Sequence, residues 1–238
     1  MIIGICGDSG SGKTTLAKAV EKCLGDVLLF ECDRYHKWVR TSENWKNYTH
    51  LNPDANHISN MRDDIIRLKA GYKFWSSDYC HDSGTFTKEK LVVPTDKIVI
   101  LGLHTLMDSV HQLFDLKIFM DTDQDLKKHW KVNRDVKERG YSLDQVLEKI
   151  KKREGDYLRY IYPQRNNADL IIQFNESGLK LQFNDKFDLS SITGKLHEKS
   201  VNYSISFSPI TMNFPSAFNY DIITLFIMDW YDKFKRNQ

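Results

Sequence analysis

Cysteine is scarce in this 238-residue chain, and its few copies are scattered. Cys6, Cys23, Cys32 and Cys80 show no C-x-x-C spacing. That pattern excludes a zinc module and a disulfide framework, and it sets a reducing cytoplasm as the expected compartment. Long apolar runs are missing too: a stretch such as 222–228 is far below the ~20 residues a helix needs to cross a bilayer. The formal net charge is only +2, so no global field draws the chain to nucleic acid or to an anionic membrane, and neither is an expected partner. There are no internal repeats and no low-complexity segments. The chain opens directly on a strand-like run, so no signal peptide is expected. What remains is 41% hydrophobic and 28% charged, a composition able to build the core of one α/β domain with a small appendage.

The most informative segment is Gly7-Asp8-Ser9-Gly10-Ser11-Gly12-Lys13-Thr14, a complete G-x-x-x-x-G-K-[ST] loop. The apolar run Ile2-Ile3-Gly4-Ile5-Cys6 precedes it and a helical pattern over 15–24 follows. Glycines let successive backbone N–H groups curl around phosphate oxygens, and the helix N-terminus adds partial positive charge. Lys13 then reaches the β- and γ-phosphates and the Thr14 hydroxyl reaches Mg²⁺. Residues 7–14, with Thr15 at the helix start, are therefore the expected nucleotide-binding group.

Strand and helix signals alternate through the first 176 residues. Strands are expected over 27–32, 97–101, 116–120 and 168–174, and helices over 56–70, 124–139 and 143–153, with Gly71 and Gly140 as stops. Such βα repeats imply a P-loop NTPase-like, mostly parallel sheet flanked by helices, with ligands at the carboxyl ends of the strands. Asp33, His104 and Asp121 follow strands and are placed to face that crevice. Beyond residue 176 the pattern shortens to strand-like stretches at 179–183 and 201–207, then an amphipathic helix over 220–236. The expected division is a kinase core over 1–176 with a lid helix near 124–140, and a strand-rich extension over 177–238 docked on it.

A P-loop alone does not separate a kinase from a GTPase or a motor. The guanine-reading N-K-x-D segment is absent, and the chain is short for an oligomeric motor. A small-molecule phosphotransferase is the natural remainder. It needs a base beside the acceptor hydroxyl, cations for the transferred phosphoryl group and a lid against water. Asp33 is the candidate base. His36 and Arg40 lie just beyond it, and Arg offers a planar fork suited to phosphate. The helix from residue 124 sets Lys127, Lys131, Arg134 and Glu138 on one face, and pairs Asp135 with Arg139 at i, i+4. Gly140 ends it where a lid could hinge.

These motifs, in order, resemble the phosphoribulokinase/uridine kinase group, over about residues 1–174. The P-loop is shared by the group. Asp33-x-Tyr35-His36-x-x-x-Arg40 and Leu51-Asn52-Pro53-Asp54-Ala55-Asn56 look like phosphoribulokinase. So do Tyr79-Cys80-His81, Gly102-Leu103-His104, Lys131-x-x-Arg134-Asp135-x-x-x-Arg139-Gly140, Tyr162-Pro163-Gln164 and Ala168-Asp169. The resemblance implies ATP- and Mg²⁺-dependent phosphorylation of a sugar phosphate, ribulose 5-phosphate giving ribulose 1,5-bisphosphate. It implies Asp33 as base and metal partner with Thr14, and Lys13, Arg134 and Asp135 as catalytic companions. Lys131 would serve the nucleotide. His36, Arg40, Tyr79, His81, His104 and Arg139 would contact the sugar phosphate. A homodimer is compatible with it.

Two positions depart from the family. Leu101 stands where the family has Glu before Gly-Leu-His, which removes a carboxylate from the metal's surroundings. Ser11 stands where plant-type enzymes have cysteine, so no thiol switch of that kind is expected. Three other readings stay open: a nucleoside kinase resembling uridine kinase, a kinase for another sugar phosphate, and a non-catalytic nucleotide-binding protein.

Overall fold

In the computed structural model, residues 1–184, 187, 189–215 and 219–237 are described. The first strand, β1 (Ile2–Gly7), is buried along its whole length. Its side chains alternate between two cores: Ile3 and Ile5 enter one, Ile2 and Cys6 the other. A strand buried on both faces belongs in the middle of a parallel sheet, and β1 sits there. Helix α1 (Lys13–Leu24) follows, then β2 (Val27–Glu31), α2 (Ile58–Lys69), four short strands β3 (Phe74–Ser76), β4 (Tyr79–Cys80), β5 (Thr85–Phe86) and β6 (Lys90–Val92), and β7 (Lys97–Gly102). Next come β8 (Leu116–Met120), α3 (Gln124–Lys137), α4 (Leu143–Asp156), β9 (Leu170–Asn175) and β10 (Gly178–Phe183). The chain closes with α5 (Ser190–Glu198), β11 (Ser204–Phe207), β12 (Ile210–Pro215) and α6 (Tyr220–Arg236).

The main sheet has eight strands in the order β11-β12-β10-β9-β8-β1-β7-β2. The five from β9 to β2 are parallel, while β10, β12 and β11 add on beyond β9, each antiparallel to the strand before it in that order. The architecture is thus a mostly parallel α/β sheet, as the βα repeats imply. One core packs α1, α5 and α6 on one face of the sheet; the other packs α2 and the segment after α4 on the opposite face.

Local chemistry sets the element ends. Gly71 and Gly140 terminate helices with φ of +79° and +69°, values that a Cβ disfavours. Asp123 caps α3, accepting from Asp125 N at 3.0 Å and Leu126 N at 3.3 Å. Ser142 and Gln145 form a reciprocal capping box at α4. Helix α4 outruns the expected end at 153 and passes through a π-helical turn, Tyr157–Ile161, into a 3-10 turn, Tyr162–Asn167. The side chain of Gln164 there is fully used. Its Oε1 accepts from Leu106 N (3.0 Å), and its Nε2 donates to Leu103 O (2.9 Å) and Tyr160 O (2.8 Å). The loop after β7 is pinned in this way.

The sequence pattern past residue 176 missed two elements, α5 and β12. Helix α5 is only nine residues long, about two and a half turns, too short for a clear periodicity. Strand β12 pairs with β10 and β11, so its partners lie far along the chain or behind a tight turn.

Candidate active site

The carboxyl ends of β1, β2 and β7, the start of α1, and helices α3 and α4 enclose one cavity of about 1140 Å³. That is room for two ligands side by side. Ser9, Gly10, Gly12, Lys13, Thr14 and Thr15 form part of its wall. Gly10 and Gly12 hold φ of +85° and +93°, turning backbone N–H groups inward. Helix α1 starts with no acidic residue in its first turn and no side-chain cap, which leaves its positive end free for an anion. Lys13 Nζ donates to Gly7 O and Asp8 O, both at 2.8 Å. Its burial presses its pKa down, against the pull of Asp33 and Asp8. A phosphate chain would give it the charge it lacks.

Asp33 faces the same cavity from the turn after β2. Its Oδ2 lies 3.0 Å from His81 Nε2 and its Oδ1 3.9 Å from His36 Nε2. Burial would raise its pKa, but the His81 hydrogen bond and the charges of His36, His81 and Lys13 hold it far below the usual carboxylate range. Asp33 is therefore ionised at any working pH. Asn56 fixes His36. The Asn56 amide N donates to His50 O (3.1 Å) and Asn52 O (2.9 Å), so its Oδ1 must be the atom 2.8 Å from His36 Nδ1, accepting from it. The same amide N lies 3.2 Å from His104 Nε2. Arg40 lines the cavity, bonding the His81 carbonyl and the Asp82 carbonyl (3.2 Å). Tyr79 and Arg139 complete this wall.

From above, α3 presents its cations. Lys131 Nζ sits 2.9 Å from Asp135 Oδ2, Arg134 Nε donates to Asp135 Oδ1 at 2.9 Å, and Arg139 Nη1 is 3.4 Å from Asp135 Oδ1. Burial would raise the Asp135 pKa, but Lys131 and Arg134 hold it down. Burial pushes Lys131 to about 8, with Arg153 adding to the shift. Arg134 Nη2 and Lys131 Nζ also reach Ser9 Oγ, at 3.2 and 3.5 Å. Helix α3 thus lies directly on the P-loop.

Several expected site residues stand outside the cavity wall. His104 is buried behind Asn56, and burial lowers its pKa to about 4. It orients Asn56, and through it His36, so the expectation of a direct substrate contact does not match its place. Asp8 turns away and is clamped by Lys127 (3.0 Å) and Arg153 (3.4 Å), tying α3 and α4 to the loop. Gly7 and the buried Ser11 shape the loop from behind. Asp121, read as facing the crevice, instead accepts from Gln173 (3.0 Å) and pairs with Arg165 (3.5 Å). The pattern also missed residues that do line the cavity: Glu31, Trp45, Tyr48, His50, Trp130, Phe174 and Tyr220. Glu31 carried a signal, since it ends a strand two residues before Asp33. The others sit on elements that only folding brings together.

Position 101 has a structural answer. Leu101 on β7 lies in register with Glu31 on β2, and both reach the cavity. Paired positions on neighbouring strands share a face, so a carboxylate stands one strand over from the leucine. Among the described residues no cluster of three or more His, Cys, Asp or Glu could hold a metal by itself. That donor set suits Mg²⁺, which keeps much of its water and is held mainly through substrate phosphates. Thr14, Asp33 and Glu31 are the groups available to it.

Residues 2–178 match the model of the phosphoribulokinase/uridine kinase family. The chain belongs to this family. It is 34% identical over 176 residues to a phosphoribulokinase of Synechocystis sp., covering 73% of this chain and 53% of that protein. It is 31% identical over 175 residues to a uridine kinase of Borrelia duttonii, covering 72% of this chain and 85% of that one. The chain thus spans about half the length of the phosphoribulokinases it matches. Among solved structures, a phosphoribulokinase from Rhodobacter spheroides superposes with a TM-score of 0.75 at 18% identity, covering 98% of this chain and 96% of that one. That likeness confirms the P-loop kinase fold. The matched family is one of kinases. No helix among the described residues is long and apolar enough to cross a membrane.

Proposed function

We propose that this kinase transfers the γ-phosphoryl group of ATP to a hydroxyl of a sugar phosphate, with ribulose 5-phosphate as the acceptor and ribulose 1,5-bisphosphate as the product. The observation that carries the reading is Asp33. It is an ionised carboxylate in the same cavity as the P-loop lysine, held by His81 and flanked by Arg40 and Arg139. An acceptor hydroxyl beside Asp33 would hydrogen-bond to the carboxylate. As its oxygen bonds to the γ-phosphorus, the bond from that phosphorus to the bridging oxygen of ADP breaks, and the hydroxyl proton passes to Asp33. Because Asp33 is a weak base, it takes the proton late, and much of its work is aiming the hydroxyl.

Lys13, Lys131 and Arg134 surround the place where charge builds on the transferred group. Asp135 keeps the two lid cations and Arg139 in position. Mg²⁺, when bound, neutralises phosphate charge, with Thr14, Asp33 and Glu31 as this chain's contribution to its shell. Arg40 and Arg139 give the acceptor end a positive character, which favours an anionic sugar over a neutral nucleoside.

The test is ADP release from ATP and Mg²⁺ with ribulose 5-phosphate, and in parallel with uridine and with other pentose and hexose phosphates. Saturable turnover with ribulose 5-phosphate alone is the expected result. Turnover with uridine instead would move the acceptor to a nucleoside. Silence with every acceptor, despite ATP binding, would leave a nucleotide-binding protein without transfer.

A further inference from the structure

The cavity continues past the P-loop on the side away from Asp33. The strand order explains its length. Starting from β1, which carries the loop, β2 and Asp33 lie two strands one way, and β9 lies two strands the other way, about 10 Å in each direction. At the carboxyl end of β9 stands Phe174, buried, and it backs two partly exposed rings. Trp130, from the lid helix α3, meets it at 5.8 Å between centroids with planes at 62°. Tyr220, from the first turn of α6, meets it at 5.2 Å with planes at 49°. All three line the cavity, together with Thr15 and Lys18. Tyr220 also lies on the phosphate loop itself. Its Oη donates to Gly12 O at 3.5 Å, and a Cβ at position 12 would come within 2.3 Å of that Oη. Tyr220 lies beyond residues 2–178, the span matched by the family.

A triphosphate seated on the loop with its γ-phosphate toward Asp33 points its nucleoside end the opposite way. Resting on the nucleotide-binding reading above, we infer that Trp130, Phe174 and Tyr220 form the nucleobase subsite, which takes a flat purine ring mainly by stacking on Tyr220 and Trp130. Stacking serves any purine face, so adenine and guanine triphosphates should bind within about tenfold of one another. The C-terminal helix then becomes part of the nucleotide site.

The experiment compares the affinities of ATP and inorganic tripolyphosphate, each with Mg²⁺, for the full chain and for Tyr220→Ala and Tyr220→Phe. The expected result is that Tyr220→Ala weakens ATP by about 5- to 150-fold, the range of one base–aromatic stack. Tripolyphosphate affinity should stay within about threefold, and Tyr220→Phe should behave like the parent. Trp130 fluorescence should be quenched by ATP and not by tripolyphosphate, a signal lost in Trp130→Phe. Equal weakening of both ligands by Tyr220→Ala would make Tyr220 a prop for the loop and overturn the inference. So would a parent chain that binds ATP no tighter than tripolyphosphate, with the P-loop reading left standing. Failure of the parent to bind either ligand would instead overturn the nucleotide-binding reading on which the subsite rests.

Discussion

Replacing Asp33 by Asn separates chemistry from binding. Asn keeps the shape and can still accept from His81, which now sits 3.0 Å from the carboxylate, so the pocket should hold its form. What is lost is the negative charge and the place for the proton. A positioned base is worth about 10²–10⁴-fold in rate. Asp33 belongs in the lower part of that range because its pKa is held far below working pH, and a base works best when the two are close. The expected loss in kcat is therefore about 10²–10³-fold, or ~3–4 kcal/mol in the barrier. ATP affinity should stay within about threefold, because the loop backbone, Thr14 and the lid cations are untouched. The assay is ADP release under saturating acceptor, with ATP affinity measured calorimetrically. A variant with kcat within tenfold of the parent would refute Asp33 as the base. Loss of ATP binding in parallel with kcat would show that its role lies in the metal and nucleotide instead.

Further consequences can be measured in the same preparations. Lys131 has a pKa of about 8 in the free protein, and phosphates raise it. Above pH 8 binding must therefore take up a proton, and the Kd for ATP should climb by up to tenfold per pH unit; Lys131→Arg should flatten that climb. Asp135→Ala leaves the buried Lys131 unpaired and should cost about 3 kcal/mol, seen as a fall in Tm of about 6–12 °C. An unchanged Tm would mean that solvent already compensates the cluster. Cys6 and Cys32 are buried and reduced, and burial pushes their thiols up to about 11 and about 12. With Ser11 in the loop and both of these thiols inert, oxidised and reduced forms of a Cys23→Ser, Cys80→Ser variant should show equal activity, and a clear difference would contradict the absence of a thiol switch. Gly102→Ala would bring its new Cβ to 2.6 Å from the Cβ of Cys32, so the loop after β7 must shift. A loss of thermal stability of at least ~1 kcal/mol is expected.

The sequence alone determined whatever is written in neighbouring residues. The P-loop needs eight consecutive positions, and β1 needs only its apolar run. The charges of α3 and its end repeat at helical spacing, so Lys131, Arg134, Asp135 and Arg139 could be placed together before any fold was known. The turn after β2 put Asp33 at a strand end and hence at the ligand side of the sheet. Tertiary structure decided everything that depends on strand order and on distant partners. Only the register of β2 with β7 sets Glu31 beside Leu101. His104 follows its strand as a site residue should, yet it faces Asn56 and lies behind the cavity, because the pinned loop after β7 turns it inward. Asp8 looked like a phosphate ligand and proves to be the clamp between loop, α3 and α4. Tyr220 is the clearest case. It lies 208 residues from Gly12, and no local pattern brings them together. The sheet must first grow outward through β10, β12 and β11, and α6 must then return across it to pack on α1.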